Sequence, residues 1–318
     1  MPLSSIEFTS QGKSVRVPAA EIEGRTVISR GGRIKVASIF DDAVAQGELV
    51  TDPDKFVAAL KQSGLPADVL TFFQRPPDVK PKFAHHFDWD NYAVIKTESF
   101  DAWWEKLPQE ARKNTRRAAK RGVEVKVVAF DDELVRGIHK LCNESPVRQG
   151  KPFWHYGKDF ETIKRDHATY VERSEFIGAY CEGELIGFIK MVYVDRIAFI
   201  FHILAFNAHN DKRPINALVA KAVEVCAQKG VMYFVHDKYT YGNKKQSSLL
   251  EFKRRNGYEQ IDFPRYYIPL TLKGRIYVAL RLYRGAIGLL PAPVLSALLT
   301  VRGWFNRTKD KPVAAKEE

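Results

Sequence analysis

The cleanest run of apolar positions lies in "RPINALVAKAVEVCAQKG", residues 213–230. Ile215, Leu218, Val219, Ala222, Val223 and Cys226 recur at i, i+3, i+4, i+7, i+8 and i+11, which is one buried stripe of a helix. Pro214 suits the first turn, where no amide hydrogen is needed, and Gly230 suits the close. "VMYFVHDKYT" follows as an almost wholly apolar strand, the kind buried on both faces of a sheet. Ahead of this helix, "EFIGAYCEGELIGFIKMVYVDRIAFIFHILAF" predicts three successive strands turned at Glu182-Gly183 and near Asp195. Behind it, "SSLLEFKRRNGYEQIDFPRYYIPL" predicts a helix stopped at Asn256-Gly257 and then an aromatic, β-branched strand.

Upstream, "VEVKVV" predicts a strand, and "DDELVRGIHKLCNES" and "DFETIKRDHATYVER" predict helices. The order from Val123 to Leu272 is β-α-α-β-β-β-α-β-α-β. In the first hundred residues, "RTVISRGGRIKVASIFDD" carries a hairpin signal at Gly31-Gly32. "DPDKFVAALKQSG" predicts a short helix, and "ADVLTFFQR" and "NYAVIKT" predict strands on either side of the connector "RPPDVKPKF". "SFDAWWEKLPQEARKNTRRAAKRG" predicts a long helical stretch, nicked by Pro108 and ended by Gly122. No heptads or short tandem repeats occur.

Length and composition narrow the class. A chain of 318 residues exceeds one usual core and points to two domains or one doubled domain, and 45% apolar residues suit a packed globular protein. Cys142, Cys181 and Cys226 lack metal or redox spacing and read as buried thiols, in keeping with a reducing cytoplasm. The N-terminal stretch lacks the basic-then-apolar build of a signal peptide.

The net charge of +12 favours anionic partners, and it is concentrated. Lys106 to Lys126 holds eight cations against two acids, and Lys273 to Lys311 holds eight against one. Within the second block the uncharged run Gly285–Val301 is interrupted by Pro291 and Pro293 and is too short to span a bilayer comfortably. With arginines and Trp304 beside it, segment 273–311 is expected to touch an anionic cytoplasmic membrane surface peripherally; packing on the catalytic core is the competing reading.

Three stretches, "ARKNTRRAAKRGVEVKVV", "RPINALVAKAVEVCAQKGVMYFVHD" and "LLEFKRRNGYE", together with the element order, resemble the GNAT superfamily of acyltransferases, and within it the Fem-type (FemABX, BioF2-like) branch. The resemblance covers about Asp101 to Leu272. It implies an α/β mixed sheet of the acyl-CoA N-acyltransferase kind that splays to hold a donor. Residues 1–95 would be a shortened first copy, 96–272 the complete catalytic copy, and 273–318 an amphipathic helical extension with a basic tail. No bound cofactor is expected; the activated donor would be an acyl-CoA, an acyl carrier protein or an aminoacyl-tRNA. One departure matters. Acetyl-CoA enzymes carry a glycine-bearing phosphate loop before the central helix, and here "NAHNDKRPINAL" has none. Lys212, Arg213 and Asn216 remain as donor-binding candidates at that helix start.

N-acyl transfer needs a deprotonated amine, a held electrophile and donors for the developing oxyanion. Lys253 stands three and four residues after Leu250 and Leu249, on the side that ought to face the core. By the resemblance it corresponds to the lysine facing the donor carbonyl; by residue type alone it is equally a lysine whose stem covers leucines while its amine reaches water. Asp237 lies where the buried strand emerges and could accept the amine's proton, or it could cap or pair with its lysine neighbour. His202 reads as a satisfied core histidine, with a base as the alternative. Tyr239 and Tyr241 are candidates for stacking on an acceptor. Arg112, Arg116, Arg117 and Lys120, at helical spacing, would clamp acceptor phosphates or form a solvated face. The sequence thus points to an N-acyltransferase acting on an amino group of a phosphate-bearing, cell-envelope acceptor, with tRNA as a further partner. The rival is a non-catalytic protein of the same fold that binds RNA or anionic lipid. A metal hydrolase has little support, because His85 and His86 adjoin without i, i+4 spacing.

Overall fold

The β-branched runs around Gly31-Gly32 form an antiparallel pair, β3 (Arg25–Arg30) and β4 (Val36–Ile39), as their turn signal requires. They appear in a computed structural model that describes residues 3–10, 13–148, 150–241 and 248–285. Two strands not expected from the sequence precede them, β1 (Ser4–Ser10) and β2 (Lys13–Ile22). Helix α1 (Pro53–Gln62) starts at Asp52, whose carboxylate accepts from the backbone of Asp54 and Lys55 at 3.1 Å. It leads to β5 (Val69–Phe73), which lies parallel to β4. After the loop comes β6 (Phe87–Lys96). Pro108 breaks the next helical stretch into α2 (Phe100–Lys106) and α3 (Gln109–Lys120).

The second half follows the expected order. It comprises β7 (Val123–Val128), α4 (Asp132–Cys142), the two short strands β8 (Val147–Arg148) and β9 (Lys151–Pro152), and α5 (Phe160–Ala168). Then come β10 (Ser174–Cys181), β11 (Glu184–Val194), β12 (Ile197–Ala205), α6 (Pro214–Gln228) and β13 (Tyr233–Val235). Helix α7 (Ser248–Arg255), β14 (Glu259–Pro269) and α8 (Leu272–Ala279) complete the described elements. The run expected to be one long strand after α6 holds only three residues in β13. The uncharged run beyond Gly285, with Pro291, Pro293 and Trp304, lies outside the described residues.

Among the described residues twelve strands share one mixed sheet, in the order β1-β2-β3-β4-β5-β14-β6-β13-β12-β11-β10-β7. The order repeats a motif. In each half a parallel pair joined through a helix, β4 with β5 and β12 with β13, is held by three register pairs. The strand beside each parallel pair comes from the other half: β14 lies against β5, and β6 lies against β13. The centre of the sheet, β14 with β6, therefore joins two exchanged strands. This is a shortened first copy and a complete second copy of one mixed α/β unit. One apolar core lies around α6, with Leu218, Val219, Val223 and Cys226 inside it. Another, around Phe56, Phe72, Tyr92 and Tyr266, fills the first half and reaches across to Val194 and Ile197.

Candidate functional site

Strands β12 and β13 pair only from Ile197–Phe199 to Tyr233–Val235. Beyond those residues β12 continues along β11, whereas the other chain stays with β6, where His236 donates to Ala93 O and Ala93 donates to Asp237 O. The sheet therefore opens into a V. Ile200, Ile203 and Phe206 on one arm, Ile215 at the start of α6, and Tyr239 and Phe252 on the other arm are only partly buried against the α6 core. An apolar lining of this kind suits an acyl chain or other slender tail.

Lys253 packs on the diverging arm of the V, at Lys238, and is 0% exposed, while Leu249 on the same helix is 40% exposed. The core side of α7 thus carries the lysine instead of Leu249. Its Nζ donates to Lys238 O at 2.5 Å and lies 5.3 Å from the centre of the Tyr241 ring. Burial brings its pKa down to about 8, opposed by the nearby Asp237 carboxylate. Tyr241 donates to Asp237 Oδ2 at 2.6 Å, and desolvation together with this bond pushes the phenol up. Asp237 is exposed and holds a left-handed backbone (φ 48°), an uncommon conformation for a residue other than glycine. His236, next to it, packs on Phe252 and Tyr258; among the described residues its buried Nδ1 has no partner, and desolvation lowers the ring to about 4.

Three of the residues singled out in the sequence, Lys253, Asp237 and Tyr241, therefore meet at one point. Tyr239 is nearby on the same segment, packed on the α6 core. Lys212, Arg213 and Asn216 do gather at the start of α6. Arg213 caps that helix with a left-handed backbone (φ 59°) and no side-chain cap bond, so the first turn is not closed by its own residue. Lys212 Nζ lies 3.2 Å from His209 Nδ1, and Asn216 Nδ2 donates to Asn256 Oδ1 at 3.0 Å, which ties α6 to the end of α7. Arg112, Arg116, Arg117 and Lys120 lie on α3, which packs against α6. Arg116 stands over Trp104, and among the described residues none of the four forms an ion pair or joins the Lys253 group. Arg121 anchors the end of α3 to Asp211, just before α6.

On the opposite face of β12, His202 meets residues the sequence reading passed over. Its ring lies 4.5 Å from His167 and 5.6 Å from His155, centre to centre. Lys190, on β11, is fully buried beside it and donates to His167 O at 2.8 Å and to Thr169 O and Oγ1. Desolvation holds His155 and His167 at about 4 and His202 well below its ordinary value, and brings Lys190 to about 8. Among the described residues the buried His155 Nδ1 has no partner. The available sign in the sequence was the lone lysine in "LIGFIKMVYV", a cation inside a fully apolar strand.

Among the described residues several cavities lie elsewhere in the fold, two of them of about 360 Å³. One is lined by Asp88, Asp90, Lys238, Thr240, Arg265 and Arg284, beside the Lys238–Tyr241 segment. Its cations are matched by carboxylates: Arg265 and Lys238 pair with Asp90 at 2.9 and 2.8 Å, and Arg284 pairs with Asp88 at 2.7 Å. The other lies at the end of β5 and is occupied at one side by Arg75, bonded to the carbonyls of Asp42, Ala45 and Gly47. Neither encloses Lys253. The V and its buried lysine, not these two cavities, bring together groups suited to carbonyl chemistry.

No family model and no curated relative matches the sequence. Solved structures do match in shape. FemX superposes with a TM-score of 0.57 at 11% identity, covering 87% of this chain and 90% of that one. L-PGS from Bacillus licheniformis gives 0.53 at 14% identity, over 86% and 89%. The DUF2156 domain of an Agrobacterium fabrum protein gives 0.53 at 13%, over 82% and 86%. At such identities the likeness speaks for architecture, and it extends over both halves of the sheet. The chain has a GNAT-like fold of the Fem type.

Proposed function

We propose that this chain is an N-acyltransferase that moves an acyl or aminoacyl group from an activated donor to an amino group. The observation that carries the reading is the buried ammonium of Lys253 on the diverging arm of an apolar V, next to the Asp237–Tyr241 pair. A cation held out of water is a strong partner for an oxyanion, because the interaction is not weakened by solvent. The likeness to FemX and L-PGS supports a transferase of the acyl or aminoacyl kind.

In this reading the donor's tail lies in the V and its charged portion lies near Lys212 and Arg213 at the start of α6. The amine nitrogen attacks the carbonyl carbon, and Asp237 accepts the proton it loses. Lys253 stabilises the tetrahedral oxyanion. On collapse the carbon–sulfur or carbon–oxygen ester bond breaks, and the leaving thiolate or alkoxide takes up, through water, the proton that Asp237 accepted. Without a glycine phosphate loop, an aminoacyl-tRNA or carrier protein fits the donor side better than a free acyl-CoA. The unpaired cations Arg112, Arg116, Arg117 and Lys120 on α3 would then meet phosphates of the donor or of a cell-envelope acceptor.

The test incubates the full chain with acyl-CoA, acyl carrier protein and aminoacyl-tRNA pools plus amine-bearing envelope precursors, and follows products by mass spectrometry. Lys253→Met is expected to lower turnover about a hundredfold to a thousandfold, and Asp237→Asn about a hundredfold. Full turnover in Lys253→Met would remove that residue from the mechanism. A protein that binds RNA or lipid without catalysis would release no CoA and deacylate no tRNA.

A further inference from the structure

Helix α8 has its apolar residues on the wrong side for a helix that only packs on its own protein. It buries its small residues: Gly274 and Val278 face the sheet, and a methyl group at Gly274 would come within 1.9 Å of Asp68 O. Its large ones point outward. Leu272, Ile276 and Leu280 recur every four residues and are 73%, 53% and 60% exposed, and Leu282 beyond them is 40% exposed. A row of large apolar side chains left in water marks an interaction surface.

The charges around the row choose between partners. From Leu270 to Gly285 the sequence has Lys273, Arg275, Arg281 and Arg284 and no acidic residue. Lys273, Arg275 and Arg281 are exposed and, among the described residues, unpaired; Arg284 is held by Asp88. On a helix, Lys273 and Arg275 stand next to Leu272 and Ile276 on either side of the row. Long cations beside an apolar stripe can extend to headgroup phosphates while the stripe enters the acyl region. A protein partner would need acids to match these cations, and its interface would exclude unpaired charge from its centre.

We infer that the outer face of α8, through Leu272, Ile276 and Leu280 with Lys273, Arg275 and Arg281, docks the protein on an anionic lipid surface. Thr271 fixes the helix in place for this: its hydroxyl donates to Asp68 and accepts from Gly274 N, so the stripe is presented by a rigid mount. One cavity is lined both by Tyr283 and Arg284, just after the helix, and by Lys238 and Thr240, on the segment that carries Asp237. Docking would bring that side of the molecule to the bilayer. The inference stands whether or not the chain transfers acyl groups.

The test is cosedimentation of the full chain with vesicles of phosphatidylcholine alone or mixed with phosphatidylglycerol, at low and high salt. Binding is expected only to the anionic vesicles and is expected to weaken as salt rises. The triple variant Leu272→Asp, Ile276→Asp, Leu280→Asp alters only exposed positions and should bind at least tenfold more weakly with an unchanged melting curve. Leu3→Asp, at an apolar residue 51% exposed elsewhere, should bind as the wild type does. Equal binding by the triple variant would overturn the inference. So would absence of wild-type binding, or a concentration-dependent dimer that the triple variant abolishes while vesicle binding stays nil.

Discussion

Two buried lysines make a useful contrast. Lys190 and Lys253 are both 0% exposed and both brought to about pH 8 by desolvation. Lys190 is surrounded by acceptors, two backbone carbonyls and a threonine hydroxyl, whereas Lys253 has one carbonyl and an aromatic face. Replacing Lys190 by Met strands the buried His167 carbonyl and frees two oxygens of exposed Thr169; replacing Lys253 frees one part-buried carbonyl, that of Lys238. A buried acceptor left unmet costs roughly 1–3 kcal/mol; the His167 carbonyl is buried, while Thr169 is exposed and its oxygens can turn to water, so Lys190→Met should be the less stable variant by about 1 kcal/mol. Lys253→Met is expected to keep or raise the melting temperature at pH 7 while transfer is lost, which differential scanning calorimetry and the turnover assay would show together. The sign follows from the pKa. The fold disfavours the Lys253 ammonium, a cost present below about pH 8 and relieved as pH rises from there toward the ordinary 10.5. The histidines titrate in the other range. His155, His167 and His236 are held at about 4 in the fold against an ordinary 6.5, so each favours the folded state fully above pH 6.5 and loses that contribution as pH falls toward 4. Lys190 and Lys158 oppose protonation of the His167 cluster, and Asp166 favours it. A fall from pH 7 to 5 should therefore destabilise by roughly 1–2 kcal/mol per ring, visible in the urea midpoint. The triple change His155→Gln, His167→Gln, His236→Gln should reduce that dependence, leaving the share that belongs to His202.

Among the elements, α8 is held by the absence of a side chain. A methyl at position 274 would collide with backbone, which cannot move aside as a flexible side chain can. Gly274→Ala is expected to loosen α8 from β5 and β14 and raise hydrogen exchange over residues 272–279, leaving β10 to β12 as protected as before. Several elements could be read from sequence because their signal is local. The α6 stripe falls on one helical period, and the turns at Glu182-Gly183 and Asp195 take the positive φ that their positions imply. Strands β1 and β2 were missed because β1 is mostly exposed and offers little apolar alternation. The strand after α6 came out short for a different reason. "VMYFVHDKYT" is apolar enough for ten residues, but β12 diverges after Phe199, so the ladder has a partner on only one side from His236 on. Lys253 and Asp237 could be found by their unlikely places within one segment. The His155–His167–His202 group could not, since it draws on three segments that only the folded chain brings together.

At the scale of the whole molecule, the exchanged strands decide how the two halves behave. β14 pairs with β5 over five positions and with β6 over eight, so a strand from the end of the described sequence closes the sheet of the first half. Arg265 on that strand reaches Asp90 at 2.9 Å and Asp42 at 3.3 Å, which ties the exchange with buried and half-buried charge. Neither half can then lose its sheet without taking an edge from the other, and the apolar core of the first half already includes Val194, Ile197 and Val235 of the second. Thermal unfolding should accordingly be one transition, with the calorimetric and van't Hoff enthalpies equal, although length alone would suggest melting in two steps. Arg265→Leu sharpens the test. It leaves Asp90 with Lys238 as its remaining partner and strips Asp42 of its ion pair, so it should cost about 3–5 kcal/mol. If the halves are one cooperative unit, the whole transition moves down in temperature and stays single. Two separated peaks, with the one belonging to β7–β12 unmoved, would show that the exchanged strands do not couple the halves.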